Sequence, residues 1–170
     1  METTIRVIDS VNDRLGKLAA WIVVPLTVIV LLEIGLRYFA NQPTIWVYDV
    51  SWMLFSVFFL LGGGFTMVHK RHVRIDLLYS MLPKRGQAIY ELFFFVVMFL
   101  PTMGIIGLRA VEYAGQAWQS GQSLSTTVWT FPAAPIRTVI PLAFFLLFMQ
   151  GIAEVLRNVL ILMRKEQNDD

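Results

Sequence analysis

Residues 69–86 read HKRHVRIDLLYSMLPKRG, between GGGFTMV (62–68) and ELFFFVVMFLPTMGIIGL (91–108). A basic stretch between two runs of such apolarity reads as two membrane-spanning helices joined by a connector at a charged membrane surface. Lys70, Arg71, Arg74, Lys84 and Arg85 surround a short apolar centre. There Ile75, Leu78 and Leu82 recur at helical spacing, as do Leu77 and Met81. The spacing predicts a short amphipathic helix lying flat among lipid headgroups, ended by Pro83. The competing reading is a plain loop.

Working outward, the rest of the chain repeats this alternation. It has 170 residues, 56% hydrophobic and 15% charged, where a soluble domain would carry about 25% charged residues. A bilayer core of about 30 Å needs roughly 20 apolar residues in a helix. Four segments qualify: 18–39, 47–68, 88–108 and 139–162. None alternates with period two, as the strands of a membrane barrel would. The predicted fold is therefore an all-α integral membrane protein, a single membrane domain over 1–170. The first apolar run is too long for the core of a signal peptide and lacks a small-residue cleavage site, so a retained anchor is expected. The absence of cysteine excludes disulfides, thiolate metal sites and a thiol nucleophile.

Orientation follows from the basic residues. Arg6, Arg14 and Lys17, then the five in 69–86, then Arg157, Arg164 and Lys165, fall on one side; only Arg37, Arg109 and Arg137 fall on the other. Both termini and residues 69–86 are thus expected in the cytoplasm. The N-terminal stretch 1–17 is predicted to form a second interfacial helix. Its apolar stripe would be Ile5, Ile8, Val11, Leu15 and Leu18, with Asp9, Asp13, Arg14 and Lys17 on other faces. A solvated leader is the alternative.

Between the third and fourth spans, residues 109–137 are expected to form a periplasmic helix extension and loop. Leu108, Val111, Ala114 or Gly115, and Trp118 continue the helical period, which gives a helix over 88–119 of about 48 Å. SGQSLSTT then breaks the pattern. VWTFPAAPIRTVIP follows, with Pro132, Pro135 and Pro141 predicting an outer segment folded against the protein or the bilayer surface. Trp46, Trp52, Trp118 and Trp129 fall at the outer boundary and Tyr79 and Tyr90 at the inner one, as interfacial belts do.

Glu33 and Arg37, four apart, can pair on one helix face; a proton or cation site is the alternative reading of the acid. Arg157 can neutralise Glu154, three residues earlier, while Gln150 has no partner nearby in sequence. Asp49 opens the second span, where its charge suits the helix dipole. His69 and His72 lie three apart at one edge, a poor arrangement for haem between facing helices. Gly62, Gly63 and Gly64 favour close helix packing. Nucleotide-loop and metal-spacing motifs are absent, and the scattered basic residues give no nucleic-acid surface. No catalytic, substrate-binding or metal-binding residue and no cofactor is expected.

In order and spacing these motifs resemble the small membrane (Q) subunit of tripartite ATP-independent periplasmic (TRAP) transporters. That family shows a proline and tryptophan before an acidic helix start, here Pro43, Trp46 and Asp49; small residues, here Gly62–Gly64; a His-apolar-basic-apolar-Asp run, here His72 to Asp76; and then a proline, here Pro83. Arg37-Tyr38, Ser123 or Ser125, Pro132 and Pro141 also fit. Two departures are Tyr48-Asp49, where the family often has two acids, and Lys70-Arg71, where a glycine often precedes the histidine. The resemblance implies a bacterial inner-membrane scaffold that binds the large TRAP membrane subunit. That partner would carry the sodium and substrate sites, and a periplasmic substrate-binding protein would deliver an organic acid. Partner or phospholipid contacts are then expected at Arg37, Asp49, His72, Arg74, Asp76, Lys84, Arg85, Gln150 and Glu154. The rival functions are a self-sufficient four-helix cation-coupled exporter and the anchor of a redox enzyme.

Overall fold

The computed structural model describes residues 1–69, 83–124 and 131–166. It is all-α, with four helical stretches long and apolar enough to cross a membrane. Helix α1 covers Glu2–Ala20 and α2 covers Val23–Phe39. Pro25 explains the break between them. It cannot donate to the carbonyl four residues back, and its ring crowds the preceding turn. The amides of Trp21, Ile22 and Val24 accordingly close on carbonyls three residues away. At the far end of α2, Asn41 takes a left-handed conformation (φ 50°) and the Gln42 amide returns to the Leu36 carbonyl. Asparagine there fills the role that glycine more often plays after a helix.

Helix α3 runs Val47–Val68, the bounds expected for the second span. The predicted amphipathic helix in 69–86 lies outside the described residues apart from its edges. Helix α4, Lys84–Phe94, passes through a wider π-helical turn at Phe95–Phe99 into α5, Leu100–Ser120. Pro101 accounts for the wide turn: the missing N–H disrupts the regular ladder, and a π turn absorbs the defect. The helical run Gly86–Ser120 has 35 residues, about 52 Å in length. It ends on Gly121, left-handed at φ 58°.

A two-residue antiparallel pairing, Ser123 with Pro132 and Leu124 with Phe131, closes the return. The last helix, α6, covers Ala133–Glu166. It begins six residues before the predicted start at 139 and runs straight through Pro141. Proline is tolerated inside membrane helices because neighbouring groups satisfy the freed backbone, so here it does not mark the boundary it suggested. Contacts across the turn hold the early start. Trp118 Nε1 donates to Thr138 Oγ1 at 3.0 Å, Arg137 lies 4.2 Å above the Tyr113 ring, and Arg137 donates to Gln122.

The packing reverses the pattern of a soluble bundle. Helix α5 buries Ala110, Ala114 and Ala117, while Leu108, Val111 and Trp118 of the expected period are exposed. Helix α6 buries Ala133, Ala134, Ala143 and Ala153. Gly104 and Gly107 receive Phe148 and Phe144, and Gly63 receives Leu147. Small residues let the backbones approach, and large apolar ones are left to face lipid or another membrane chain.

Candidate functional site

Besides the Trp118, Thr138, Arg137 and Gln122 contacts at the α5–α6 turn, two polar clusters stand out in the described structure. The first is the seam between α1 and the second half of α6. Gln150 is 0% exposed and Glu154 4%. Asn12 Nδ2 donates to Gln150 Oε1 at 2.9 Å, and Gln150 Nε2 donates to Asp9 Oδ1 at 2.8 Å. The guanidinium of Arg157 reaches Asp9 Oδ2 at 2.7 Å and also donates to Glu154. Gln150 and Glu154, expected as partner or lipid contacts, are therefore enclosed by the chain itself. The Glu154–Arg157 pair is as expected. The partner of Gln150 comes from 138 residues away, a separation over which no periodicity carries information.

The placement of α1 makes this possible. Its buried positions are Ile5, Asn12, Gly16 and Ala19, whereas Val11 and Leu18 of the expected stripe are exposed. The helix thus turns a partly polar face inward. Glycines set the distance to α3: a Cβ on Gly16 would overlap Phe65, and one on Gly64 would overlap Asn12. Below the seam, Lys17 donates to Asp13 at 2.6 Å, and the ring of His69 stacks on Phe65 with Nε2 3.6 Å from Asp13. A buried glutamine with unmet hydrogen bonds costs about 1–3 kcal/mol, so α6 needs α1 in this position.

The second place is the turn between α2 and α3. Glu33 accepts from Arg37 Nε at 3.1 Å and Nη2 at 2.6 Å, and from the amide of Thr44 at 3.1 Å and its hydroxyl. The acid is fully occupied, as the self-neutralised pair predicts, with Thr44 as an added donor. A groove of about 360 Å³ runs between the two helices here. Asp49 sits in the first turn of α3 and is buried at 5% exposure. Lys84 and Arg85 open α4, but their side chains, like all of His72, Arg74 and Asp76, lie outside the described residues. Of the expected contact residues, Gln150 and Glu154 share the first cluster and Arg37 lies in the second. Asp9 and Asn12 were missed, and no sequence signal distinguishes them from other polar residues on an amphipathic helix. Among the described residues, no group of histidine and acidic side chains is arranged to hold a metal ion.

A bundle with internally matched charges and an apolar exterior is a membrane subunit in form. Its family follows from comparison: residues 26–160 match the model of the tripartite ATP-independent periplasmic transporters, DctQ component. This chain belongs to that family. It is a multi-pass TRAP small membrane (Q) subunit. No individually curated protein matches it in sequence. The matched region of the Q subunit begins inside α2 and ends inside α6. It contains Gln150, Glu154 and Arg157, while α1, which supplies Asp9 and Asn12, precedes it.

Proposed function

We propose that this Q subunit is the stationary member of a TRAP-type secondary transporter. It binds and braces the large membrane subunit during sodium-driven symport of an organic acid, which a periplasmic binding protein delivers. The family match over 26–160 carries this reading. The polar groups support it. Among the described residues, Gln150, Asn12, Asp9 and Arg157 in one cluster and Glu33 and Thr44 in another are bonded within the chain. An immobile subunit needs that rigidity.

Both termini and residues 69–86 then lie in the cytoplasm, and residues 109–137 lie in the periplasm of a bacterial inner membrane. The basic connector grips headgroups and partner, so reversing Arg71, Arg74, Lys84 and Arg85 is expected to reduce recovery of the complex and uptake together. The chain has no cysteine, so single cysteines report topology directly. An impermeant maleimide applied to intact cells should label Gln122→Cys and spare Thr3→Cys. The functional test is reconstitution with the large subunit and binding protein under a sodium gradient. Uptake is expected only with all three present. Gradient-driven flux through this chain alone would overturn the assignment.

A further inference from the structure

We propose that His69 and Asp13 form a proton-dependent clasp between α1 and the C-terminal end of α3, closed while the imidazole is protonated and released when it is neutral. His69 is the first residue past α3. Its Nδ1 lies 3.0 Å from the Phe65 carbonyl oxygen, which also accepts from the His69 amide at 3.2 Å. A carbonyl only accepts, so the hydrogen of the neutral ring sits on Nδ1. Nε2 is then left with a bare lone pair, and it faces Asp13 Oδ1 at 3.6 Å. In the neutral state two acceptors therefore face each other across the helices. One added proton turns Nε2 into a donor and the contact into an ion pair.

The surroundings let the charge come and go. The His69 side chain is 37% exposed, so solvent protons reach it. Its ring stacks on Phe65 at 4.2 Å between centroids, which holds its orientation in both states. A cation at the end of α3 interacts favourably with the helix dipole. Among the described residues, the charged groups facing the ring are Asp13 and, behind it, Lys17, both on α1. Asp9, Glu154 and Arg157 bond one another in the seam beyond. Lys70 and Arg71, next in the chain, lie outside the described residues. Lys17 Nζ stays 2.6 Å from Asp13 Oδ2 and neutralises the carboxylate when the histidine lets go. Loss of the proton thus releases α1 at this point without driving it away. Histidine changes charge near neutral pH. The fastening is present on the acidic side of that titration and is lost as pH rises through it. Because α1 also covers Gln150, the clasp makes the seating of that cover sensitive to pH.

The test uses the full chain in mild detergent at pH 5.5 and pH 8.5, between which Asp13 and Lys17 keep their charges. A double-mutant cycle on His69→Asn and Asp13→Asn reads the clasp as a coupling between melting midpoints. Asparagine at 69 suits a helix end and keeps a donor for the Phe65 carbonyl, but it stops short of Asp13. A coupling of about 1–3 °C is expected at pH 5.5, the size of an exposed ion pair in a chain of this length, and none at pH 8.5. The cycle on Lys17→Met and Asp13→Asn should give the same coupling at both pH values. Imidazole nitrogen shifts in the labelled wild type, assigned to His69 by their loss in His69→Asn, should show the Nδ1–H tautomer at pH 8.5. A histidine coupling that is equal at the two pH values or zero at both would overturn the proposal. So would a lysine coupling that falls in parallel, which would mean that pH loosens α1 as a whole, or an Nε2–H tautomer. None of these outcomes depends on whether the chain braces a transport subunit.

Discussion

At the α2–α3 turn, Glu33, Arg37 and Thr44 meet within 11 positions of chain; at the opposite end, Asp9 and Arg157 meet across 148. The first group is held by one helix and the turn that follows it, with its cation largely exposed. The second is closed by a helix arriving from the N-terminus, and Gln150 at its centre is sealed from all solvent and lipid. The difference shows where tertiary structure was needed. A local ion pair neutralises itself as soon as its helix forms. The α6 cluster leaves Gln150 unmatched until α1 is seated. Breaking the second group should therefore cost far more than breaking the first.

The largest effect is expected for Arg157→Met. It leaves Asp9 and Glu154 facing each other in a mostly buried seam, at a cost of about 3–5 kcal/mol. Loss of monodisperse protein after detergent extraction would register it, and recovery equal to wild type would erase the contrast between the two ends. Next is Gly64→Ala. The added methyl overlaps Asn12 and should cost about 1–3 kcal/mol by overpacking. Gly62→Ala is the paired control: a Cβ there meets nothing within 4 Å, so its melting midpoint should stay near that of wild type. A smaller number should come from a double-mutant cycle on Asn12→Ala and Gln150→Ala. Interhelical hydrogen bonds in membranes average only about 0.6 kcal/mol because the unfolded chain also finds partners. A coupling near zero would mean that α1 is held by glycine packing alone. Smallest of all is Glu33→Gln. It keeps the acceptor toward Thr44 and weakens an exposed pair, so the loss should stay below about 1 kcal/mol in the same thermal assay.

Much of this architecture was readable beforehand because it depends on short-range periodicity. Apolar runs of bilayer length located the spans, and α3 has the predicted bounds. The spacing of Glu33 to Arg37 and of Glu154 to Arg157 names two pairs that the structure contains. The glycines were read as packing residues, and Gly63 and Gly64 lie against Leu147 and Asn12. Which side of a helix meets its neighbours is less legible from hydrophobicity. On α5 the alanines face inward, while Leu108, Val111 and Trp118 are exposed. In a bilayer, lipid is as apolar as the core, so close approach decides the packing face. On α1 likewise, Val11 and Leu18 of the apolar stripe are exposed. Pro135 and Pro141 suggested a late start for α6, and the contacts of Trp118, Arg137 and Tyr113 place it at Ala133.

By itself the sequence established the all-α membrane class, the number of spans, the self-neutralised pairs and the family likeness, since each rests on composition or on spacings of a few residues. Only the tertiary structure decided that α1 turns Asp9 and Asn12 onto α6, that alanines and glycines form the contacts, and that a groove opens beside Arg37. Those outcomes depend on how helices far apart in the chain approach one another. Steric fit and the need to satisfy buried polar groups govern that approach, and a one-dimensional pattern encodes neither.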